Sequence, residues 1–495
     1  MPAQKSFKEW NPRQSYLLPP SPMDWLPEGH LVYFILDVVA QLDLSGITEV
    51  IHEKDPRGTQ PYSPQMMVAL LLYGYCVGVY SSRKLERATY EDVPFRVLTG
   101  EQHPHFTTIN EFRRGNLDAL RGLFLQVLKL CQKAGLVKLG HVALDGTKVQ
   151  GNASKHKAMS YKRMRAEEKR LKAEIGELLR RAKEADAEED GRFGEGKRDE
   201  DLPAELRRRE DRLEKIGKAK AELEAEAKQA RARSLRRQVE RAEESAETHP
   251  DPVVRKRAAT RAKRDRDRAR ELDGGDDDDL DPPMTGDGLP KHEPKAKADG
   301  SPDDKAQMNF TDPESRIMEA GGSFIQGYNC QAAVDEEHQV IVGEGVSNKS
   351  PDNGNLLPML KQVKENCGAS PEKTTADAGY WATGVTASCE GLGTDAYIAT
   401  ERQKRTTGSD PPGGERRYES EEQKKMQEKL RTEQGRKIYA RRKVVAEPVF
   451  GQAKECRGFR RFLLRGLRAV QAEWSLVCTG HNLLKLYRAA VMQPG

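Results

Sequence analysis

The stretch Gly140-His-Val-Ala-Leu-Asp145-Gly-Thr-Lys148-Val-Gln150 decides the fold class, because the hydrophobic pattern of the chain changes there. Before it, apolar residues recur at helical spacing. Within it, a short apolar run is bounded by turn-forming residues, which is typical of a buried strand. Asp145 falls near the end of this predicted strand. Asp-Gly is also a common turn dipeptide, so a turn role and a ligand role both remain open for Asp145.

The composition indicates a multidomain chain with segments outside any packed core. The 495 residues are enough for about three domains. Charged residues make up 33% and hydrophobic residues 36%, which is polar for a globular chain of this size. The net charge is only +5, but basic residues concentrate in the C-terminal third and acids at 276–279. A polyanion is therefore the expected partner.

The cysteines and the apolar runs indicate the compartment. The seven cysteines are scattered, without a CxxC pair or a Cys/His cluster at metal-ligand spacing. This argues against a zinc finger and favours a reducing environment. No apolar run approaches the ~18–20 residues that span a bilayer, and the first residues lack the apolar core of a signal peptide. We therefore expect a cytoplasmic protein without a membrane partner.

The predicted fold class is α+β and multidomain: an N-terminal all-α domain, then a mixed α/β domain that a long charged helical insertion interrupts. The predicted segments are an irregular N-terminal arm (1–29), a helical DNA-binding domain (30–136), the first part of the mixed domain (137–159), the charged helical insertion with a disordered linker (160–310), and the remainder of the mixed domain with a closing C-terminal helix (311–495).

The N-terminal domain carries helix signals and exposed cations. Ser63-Pro64 marks a helix start, and the following residues 66–80 are apolar nearly all round, which predicts a buried central helix. Arg83 and Arg113 are candidates for contacts with DNA phosphates, as in helix-turn-helix modules. A solvated helical face is the alternative for each of them.

The insertion has a thin apolar pattern in highly charged sequence. Leu206, Leu213 and Leu223 recur at helical spacings, which predicts long exposed helices. These form either a helical hairpin of coiled-coil type or a single solvated helix. The stretch from Gly274 to about Lys305 is rich in Pro, Gly, Asp and Lys, and is predicted to be a disordered linker.

Two further acids occupy positions that suit partners for Asp145. Asp377 follows a short predicted strand, and Glu447 lies in a basic, helix-compatible segment at 434–461. Adjacent strand ends would bring the two aspartates together, and a helix packed on the sheet could add the glutamate. Three hard oxygen ligands suit Mg²⁺ or Mn²⁺, and two such ions ~3.5–4 Å apart serve in-line phosphoryl transfer. The alternative for Glu447 is an ion pair with Lys443, four residues before it.

Several motifs occur in a fixed order. They are Pro61-Tyr-Ser-Pro64, Thr108-Ile-Asn-Glu-Phe-Arg113, Asp145-Gly-Thr-Lys148, Gly327-Tyr-Asn-Cys-Gln-Ala-Ala-Val-Asp335, Ala376-Asp377-Ala-Gly-Tyr380, and Tyr439 followed by Arg442, Glu447 and Lys454. In this order they resemble the DDE transposases of bacterial insertion sequences, in particular the group with a Tyr-Arg-Glu-Lys signature around the third acid. The resemblance covers nearly the whole chain outside the charged insertion.

The resemblance implies an RNase H-like catalytic domain in which Asp145, Asp377 and Glu447 are the catalytic acids and hold Mg²⁺ or Mn²⁺, with two ions per site. It implies that Tyr439, Arg442 and Lys454 contact transposon-end DNA. Four residues separate Arg442 from Glu447 where the family pattern has three, and Lys443 stands at the expected position. The arginine role therefore remains open between Arg442 and Lys443.

The activity that the resemblance implies is cleavage at terminal inverted repeats, followed by joining of the 3′-hydroxyl ends to target DNA. The implied partners are double-stranded DNA and a second copy of the chain in the synaptic complex. The implied location is the bacterial cytoplasm, at the nucleoid when DNA is bound. Two alternatives remain: a catalytically decayed DNA-binding or coiled-coil assembly protein, and a metal-dependent DNA nuclease of the same fold.

Overall fold

The structure is a computed structural model that describes residues 21–52, 60–193, 204–274, 282–401 and 420–492. Contacts divide the chain into two units, Met1–Gly115 with Ala489–Gly495, and Asn116–Arg488. Residues 1–20 of the predicted arm and the acidic run at 276–279 lie outside the described residues. The described elements make an α+β protein, as the change of hydrophobic period at Gly140 predicts.

The first unit is helical. Its helices are α1 Leu31–Gln41, α2 Ser45–His52, α3 Pro64–Val77, α4 Ser82–Glu91, α5 Val93–Thr99 and α6 Phe106–Gly115. Ser63 is the N-cap of α3, and the helix is buried without interruption from Met67 to Cys76, so the predicted central helix is confirmed. No single described helix is long and apolar enough to cross a membrane; two bent helix pairs reach that length and composition only when taken together.

The boundary between the units differs from the predicted one. The helix α7, Leu117–Lys133, belongs to the second unit rather than to the N-terminal helical domain. Its apolar face is buried there, and the Gln132 Nε2 donates to the Cys367 carbonyl at 3.1 Å. Helical periodicity identifies the apolar face of α7, but it does not say which core covers that face. The contact-based units therefore divide the chain at Gly115, whereas the predicted helical domain ends at 136.

The sheet of the second unit is built around the predicted strand at Gly140. The strands are β1 His141–Gln150, β2 Ala158–Ser160, β3 Gln307–Asn309, β4 Arg316–Ala320, β5 Ser323–Asp335, β6 Ile341–Ser347, β7 Lys373–Ala376 and β8 Asp395–Ile398. In the described residues, β4-β5-β1-β7-β8 is the strand order of the main sheet, and β6 also pairs with β5. β1 runs antiparallel to β5 and parallel to β7. β5 and β6 form an antiparallel hairpin.

The insertion lies between β1 and β4. Its described helices are α8 Tyr161–Phe193, α9 Ala204–Thr248 and α10 Pro252–Asp273. The strands β2 and β3 pair at its base. Met164 and Leu171 of α8 pack against Ile216 and Leu223 of α9, so the described helices form hairpins and not a single solvated helix. The other end of α9 packs on α10, largely through alanines such as Ala242 of α9 and Ala262 of α10. Because these contact residues are small, the hydrophobic pattern of the sequence did not reveal this interface.

Residues 282–305 are ordered, which corrects the predicted disordered linker for that part of it. Thr285, Asp287 and Leu289 are buried. The Asp287 Oδ2 accepts a hydrogen bond from the Val346 backbone at 2.8 Å, and the Thr285 backbone donates to the Leu289 carbonyl at 2.7 Å. Composition predicted disorder because the segment has few apolar residues. Buried hydrogen bonds to the sheet order it instead.

Helices cover both faces of the main sheet. They are α11 Leu356–Cys367, α12 Val385–Gly391, α13 Glu421–Arg431, α14 Glu433–Val445, α15 Glu447–Gly451 and α16 Leu467–Met492. Residues in register share a face, so Asp145, Ala332 and Glu344 lie on the same side. On that side, the Ser475 hydroxyl of α16 donates to the Glu344 Oε1 at 2.5 Å. On the other side, α11 packs against Gly343.

Candidate active site

The two aspartates lie where the short strand β7 ends beside the middle of β1, so the prediction that Asp145 is near the end of its strand was wrong. β1 and β7 are parallel, with Ala143 opposite Thr375. Asp145 lies two residues after Ala143, and Asp377 lies two residues after Thr375, so the two aspartates are at matching positions. The Asp145 Oδ1 accepts from the Gly146 backbone at 2.8 Å. Asp377 caps the 3-10 turn after β7 by accepting from the Gly379 backbone at 2.8 Å. The structure therefore brings Asp145 and Asp377 together, as the strand assignments predict.

The helix α14 adds a guanidinium to this pair. The Arg442 Nη1 lies 3.3 Å from the Asp145 Oδ2. The Arg442 Cζ also lies 5.9 Å from the centre of the Tyr439 ring, one helical turn earlier. Lys443, the next residue, is exposed. Of the two cations left open by the sequence spacing, the structure places Arg442 beside the acids.

The electrostatics of the site follow from burial and close charges. Burial raises the pKa of Asp145 to about 6; Arg442 opposes the rise, and the negative charges of Asp377 and Asp352 add to it. Burial alone would lower the pKa of Arg442. Asp145, Tyr439, Asp377 and Glu447 outweigh that effect and raise it. One guanidinium is therefore within electrostatic reach of all three predicted acids.

Glu447 stands apart from the two aspartates. It begins α15, is exposed, and forms no hydrogen bond or ion pair with any described residue, so the alternative pair with Lys443 is not made. Pro448 lacks the N–H needed to continue α14, which separates α14 from α15. Among the described residues, no three acids are grouped closely enough to hold a metal ion.

The donor set nevertheless has the chemistry of a divalent-cation site. Asp145 and Asp377 supply hard carboxylate oxygens, which Mg²⁺ and Mn²⁺ prefer. Burial raises the pKa of Asp145 because it disfavours the charged carboxylate, and a cation bound beside it would favour that charged form. The two aspartates therefore fit such an ion, whereas Glu447 is not in contact with them in this structure.

Asp352 is a fourth acid at the site, which the sequence analysis missed. It precedes α11, and its Oδ1 accepts from the Lys148 Nζ at 3.0 Å, the Asn329 Nδ2 at 2.8 Å and the Gln331 Nε2 at 2.9 Å. Asn329 and Gln331 alternate along β5 and are both buried. Polar residues at alternate positions of an otherwise apolar strand were the available signal that this face of β5 serves a site.

The other oxygen of Asp352 faces the second aspartate. A Cβ on Gly379 would stand 2.9 Å from the Asp377 Oδ1 and 3.3 Å from the Asp352 Oδ2. The glycine therefore allows the two carboxylates to approach the same backbone turn. Tyr380, next in that turn, is buried, and its hydroxyl donates to the Gln331 Oε1.

Lys454 is turned toward the sheet. Its Nζ donates to the Lys148 carbonyl at 2.9 Å and to the Thr147 hydroxyl, both on β1. Burial lowers the pKa of Lys454. In this structure the ammonium group therefore anchors the segment after α15 to β1.

The two predicted DNA contacts of the helical unit differ sharply. Arg83 is exposed, with its Cζ 4.8 Å from the centre of the Phe106 ring. Arg113 is 1% exposed, and its Nη2 donates to the Tyr80 carbonyl at 2.8 Å. A buried guanidinium cannot reach DNA phosphates, so the prediction for Arg113 was wrong. Its position on α6 faces the core of the unit.

Comparison with protein families adds independent information. The model for a transposase domain (DUF772) matches residues 20–115, and the model for a transposase DDE domain matches residues 413–487. The first match ends at the residue where the first unit ends. The second contains Tyr439, Arg442, Glu447 and Lys454. No curated protein and no solved structure matches the chain.

Both matched segments are transposase domains, which indicates that the protein is a transposase. Together they support a DDE transposase of the insertion-sequence type. A DDE transposase domain implies an enzyme that cuts and joins DNA.

Proposed function

We propose that this transposase binds the terminal inverted repeats of an insertion sequence, cleaves at their boundary and joins the 3′-hydroxyl ends to target DNA. The observation that carries the proposal is the grouping of Asp145, Asp377 and Arg442: the two aspartates lie on the adjacent parallel strands β1 and β7, and the Arg442 Nη1 lies 3.3 Å from the Asp145 Oδ2. Carboxylates on adjacent strands, with a cation from a neighbouring helix, are suited to phosphoryl transfer.

We propose further that the catalytic domain is RNase H-like. The strand order β6-β5-β1-β7-β8 supports this, with β5 antiparallel to β1 and with β7 and β8 parallel to it. In this topology Asp377 follows β7 at the point where that strand ends beside Asp145 in the longer strand β1. DNA would approach the sheet at this point.

The proposal includes two Mg²⁺ or Mn²⁺ ions, which Asp145, Asp377 and Glu447 would hold. When bound, they would supply Lewis-acid chemistry for the attacking and leaving oxygens of the phosphodiester. Glu447 is exposed and free of protein partners among the described residues, so it is available to complete the set when DNA and metal bind.

Arg442 would bind a phosphate oxygen of the cleaved strand. Its Nη1 faces Asp145, but its Nε is buried and has no hydrogen-bond partner among the described residues. An orphaned buried donor beside carboxylates is suited to an anionic ligand, and guanidinium groups bind phosphate in fixed geometry. Tyr439, stacked near Arg442, would orient it.

The experiment that tests the proposal is Mg²⁺-dependent cleavage of a duplex carrying the element's own terminal repeat. We expect cutting at the repeat boundary by the wild type, and its loss in Asp145→Ala, Asp377→Ala and Glu447→Ala with binding retained. Binding without cutting by the wild type would support the decayed, architectural alternative. Cleavage without transfer of 3′-ends to a second duplex would support the nuclease alternative.

The proposal also includes a homodimer in the synaptic complex, because two transposon ends must be cut in concert. Light scattering of the protein bound to repeat DNA checks this. A complex with one protein chain at every concentration would contradict it.

A further inference from the structure

The charge of the insertion is concentrated on one of its helices. α8 carries ten basic residues and nine acidic ones, and α9 carries thirteen basic residues and eleven acidic ones. α10 carries nine basic residues and four acidic ones within 22 residues. Its excess of positive charge therefore equals the +5 of the whole chain.

The cations of α10 lie away from its packed side. Ala262, Asp265 and Ala269 are buried and face α9. Eight cations of α10 are exposed. Arg266 pairs with Glu243. Six others, spread over the surface outside the packed side, are here termed the α10 basic face: Lys256, Arg257, Arg261, Lys263, Arg264 and Arg268. Between its first and last members the helix rises about 18 Å. Asp267 is the exposed acid within that span.

Few protein acids neutralise the α10 basic face. Arg261 and Arg264 share one buried carboxylate, Asp265, at 3.4 and 3.0 Å. Lys256, Arg257 and Lys263 form no ion pair with any described residue.

On the paired helices α8 and α9, in contrast to α10, acidic residues neutralise many of the cations. Their acids bind cations across the helix interface, as Glu168 does with Lys220 at 2.8 Å and Glu174 with Arg209 at 3.0 Å. Charge on α8 and α9 is thus largely balanced within the protein, whereas charge on the α10 basic face is not.

We propose that the α10 basic face binds the phosphate backbone of double-stranded DNA, so that the insertion is a second DNA-binding element beside the N-terminal helical unit. A band of exposed cations about 18 Å long is complementary to a duplex, which carries one negative charge per ~1.7 Å of its axis. Contacts of this kind hold DNA without reading its sequence. The inference rests on the proposed function only in taking DNA as the substrate.

A matched pair of variants of the full chain tests the proposal. The first is Lys256→Gln/Arg257→Gln/Lys263→Gln. The control is Lys162→Gln/Arg163→Gln/Lys169→Gln on α8, which removes the same residue types at the same spacing from exposed positions. Glutamine keeps the helix propensity at each site. Binding to a random-sequence duplex is measured without divalent metal over a range of salt concentrations.

We expect the α10 variant to bind the duplex about tenfold more weakly at low salt. The slope of log K against log salt concentration should decrease in magnitude by about 1 for each basic residue removed. The α8 control should retain wild-type affinity and salt dependence. Equal losses in both variants, or no loss in either, would overturn the proposal. A change in self-association with unchanged DNA affinity would assign the face to a protein partner instead. Because no cleavage is measured, failure of the catalytic proposal cannot produce any of these results.

Discussion

Arg442 and Asp145 are 297 residues apart in the chain, yet the Arg442 Nη1 lies 3.3 Å from the Asp145 Oδ2. The contact joins the helix before Glu447 to the first strand of the sheet. It places a cation against a carboxylate whose burial raises its pKa to about 6. Arg442 is thus the ion-pair partner of Asp145.

Replacement of this arginine should affect catalysis much more than replacement of its neighbour. Arg442→Ala removes a charge-assisted hydrogen bond worth about 1.5–3 kcal/mol, so cleavage of repeat DNA should slow by roughly 10- to 100-fold. Lys443→Ala removes the same charge from an exposed position and should leave the rate within about twofold. The rates are compared at saturating DNA. Equal losses in the two variants would show that net basic charge matters rather than the position of Arg442.

Asp352 should support the metal-binding carboxylates. Asp352→Ala leaves Lys148, Asn329 and Gln331 without their shared acceptor. We expect the free energy of unfolding to fall by about 1–3 kcal/mol. We also expect weaker Mn²⁺ binding in calorimetric titration, because the Asp352 Oδ2 faces the turn after Asp377.

Asn353→Ala, at the exposed neighbouring position, is the control and should change neither quantity. Wild-type Mn²⁺ affinity in Asp352→Ala would limit the role of Asp352 to stability.

Substitutions of Arg113 and Arg83 should have different effects: the first should lower the stability of the helical unit, and the second should weaken DNA binding. Arg113→Gln leaves the Tyr80 carbonyl without its buried donor, so the helical unit should lose about 1–3 kcal/mol of stability in urea. Arg83→Gln changes an exposed residue and should instead weaken DNA binding and its salt dependence. Arg83→Gln with unchanged DNA affinity would remove Arg83 from the proposed interface.

Stability should fall as pH rises through the range in which Glu344 titrates. Burial, and then the charge of Asp287, raise the pKa of Glu344 from its usual 4.5 to about 8. Between these values the unfolded chain loses the proton while the folded chain keeps it. The contribution of Glu344 to stability is therefore complete below about 4.5 and is lost progressively up to about 8.

Glu344→Gln removes this titration, so its melting temperature should fall less between pH 5 and pH 8 than that of the wild type. Glu337→Gln, at an exposed position, should follow the wild type. Parallel curves for all three proteins would mean that Glu344 is ionised in the folded state.

Local patterns in the sequence determined the elements that carry the site. The apolar run at Gly140 predicted β1, and the apolar residues after Ser63-Pro64 predicted α3. Each depends on residues close in the chain, where periodicity reports directly on burial. The same patterns placed Asp377 correctly after β7, whereas Asp145 lies in the middle of β1 and not near its end, because β1 continues to Gln150 along β5.

Only the tertiary structure decided which side chains enter the site. The choice of Arg442 over Lys443, the addition of Asp352, the separation of Glu447 and the burial of Arg113 depend on how distant segments pack. The ordering of residues 282–305 and the placement of α7 in the second unit also depend on the packing of distant segments. A residue's type and spacing limit what it can bind, but the register of strands and the packing of helices decide which groups it meets, because those contacts join parts of the chain that no local pattern connects.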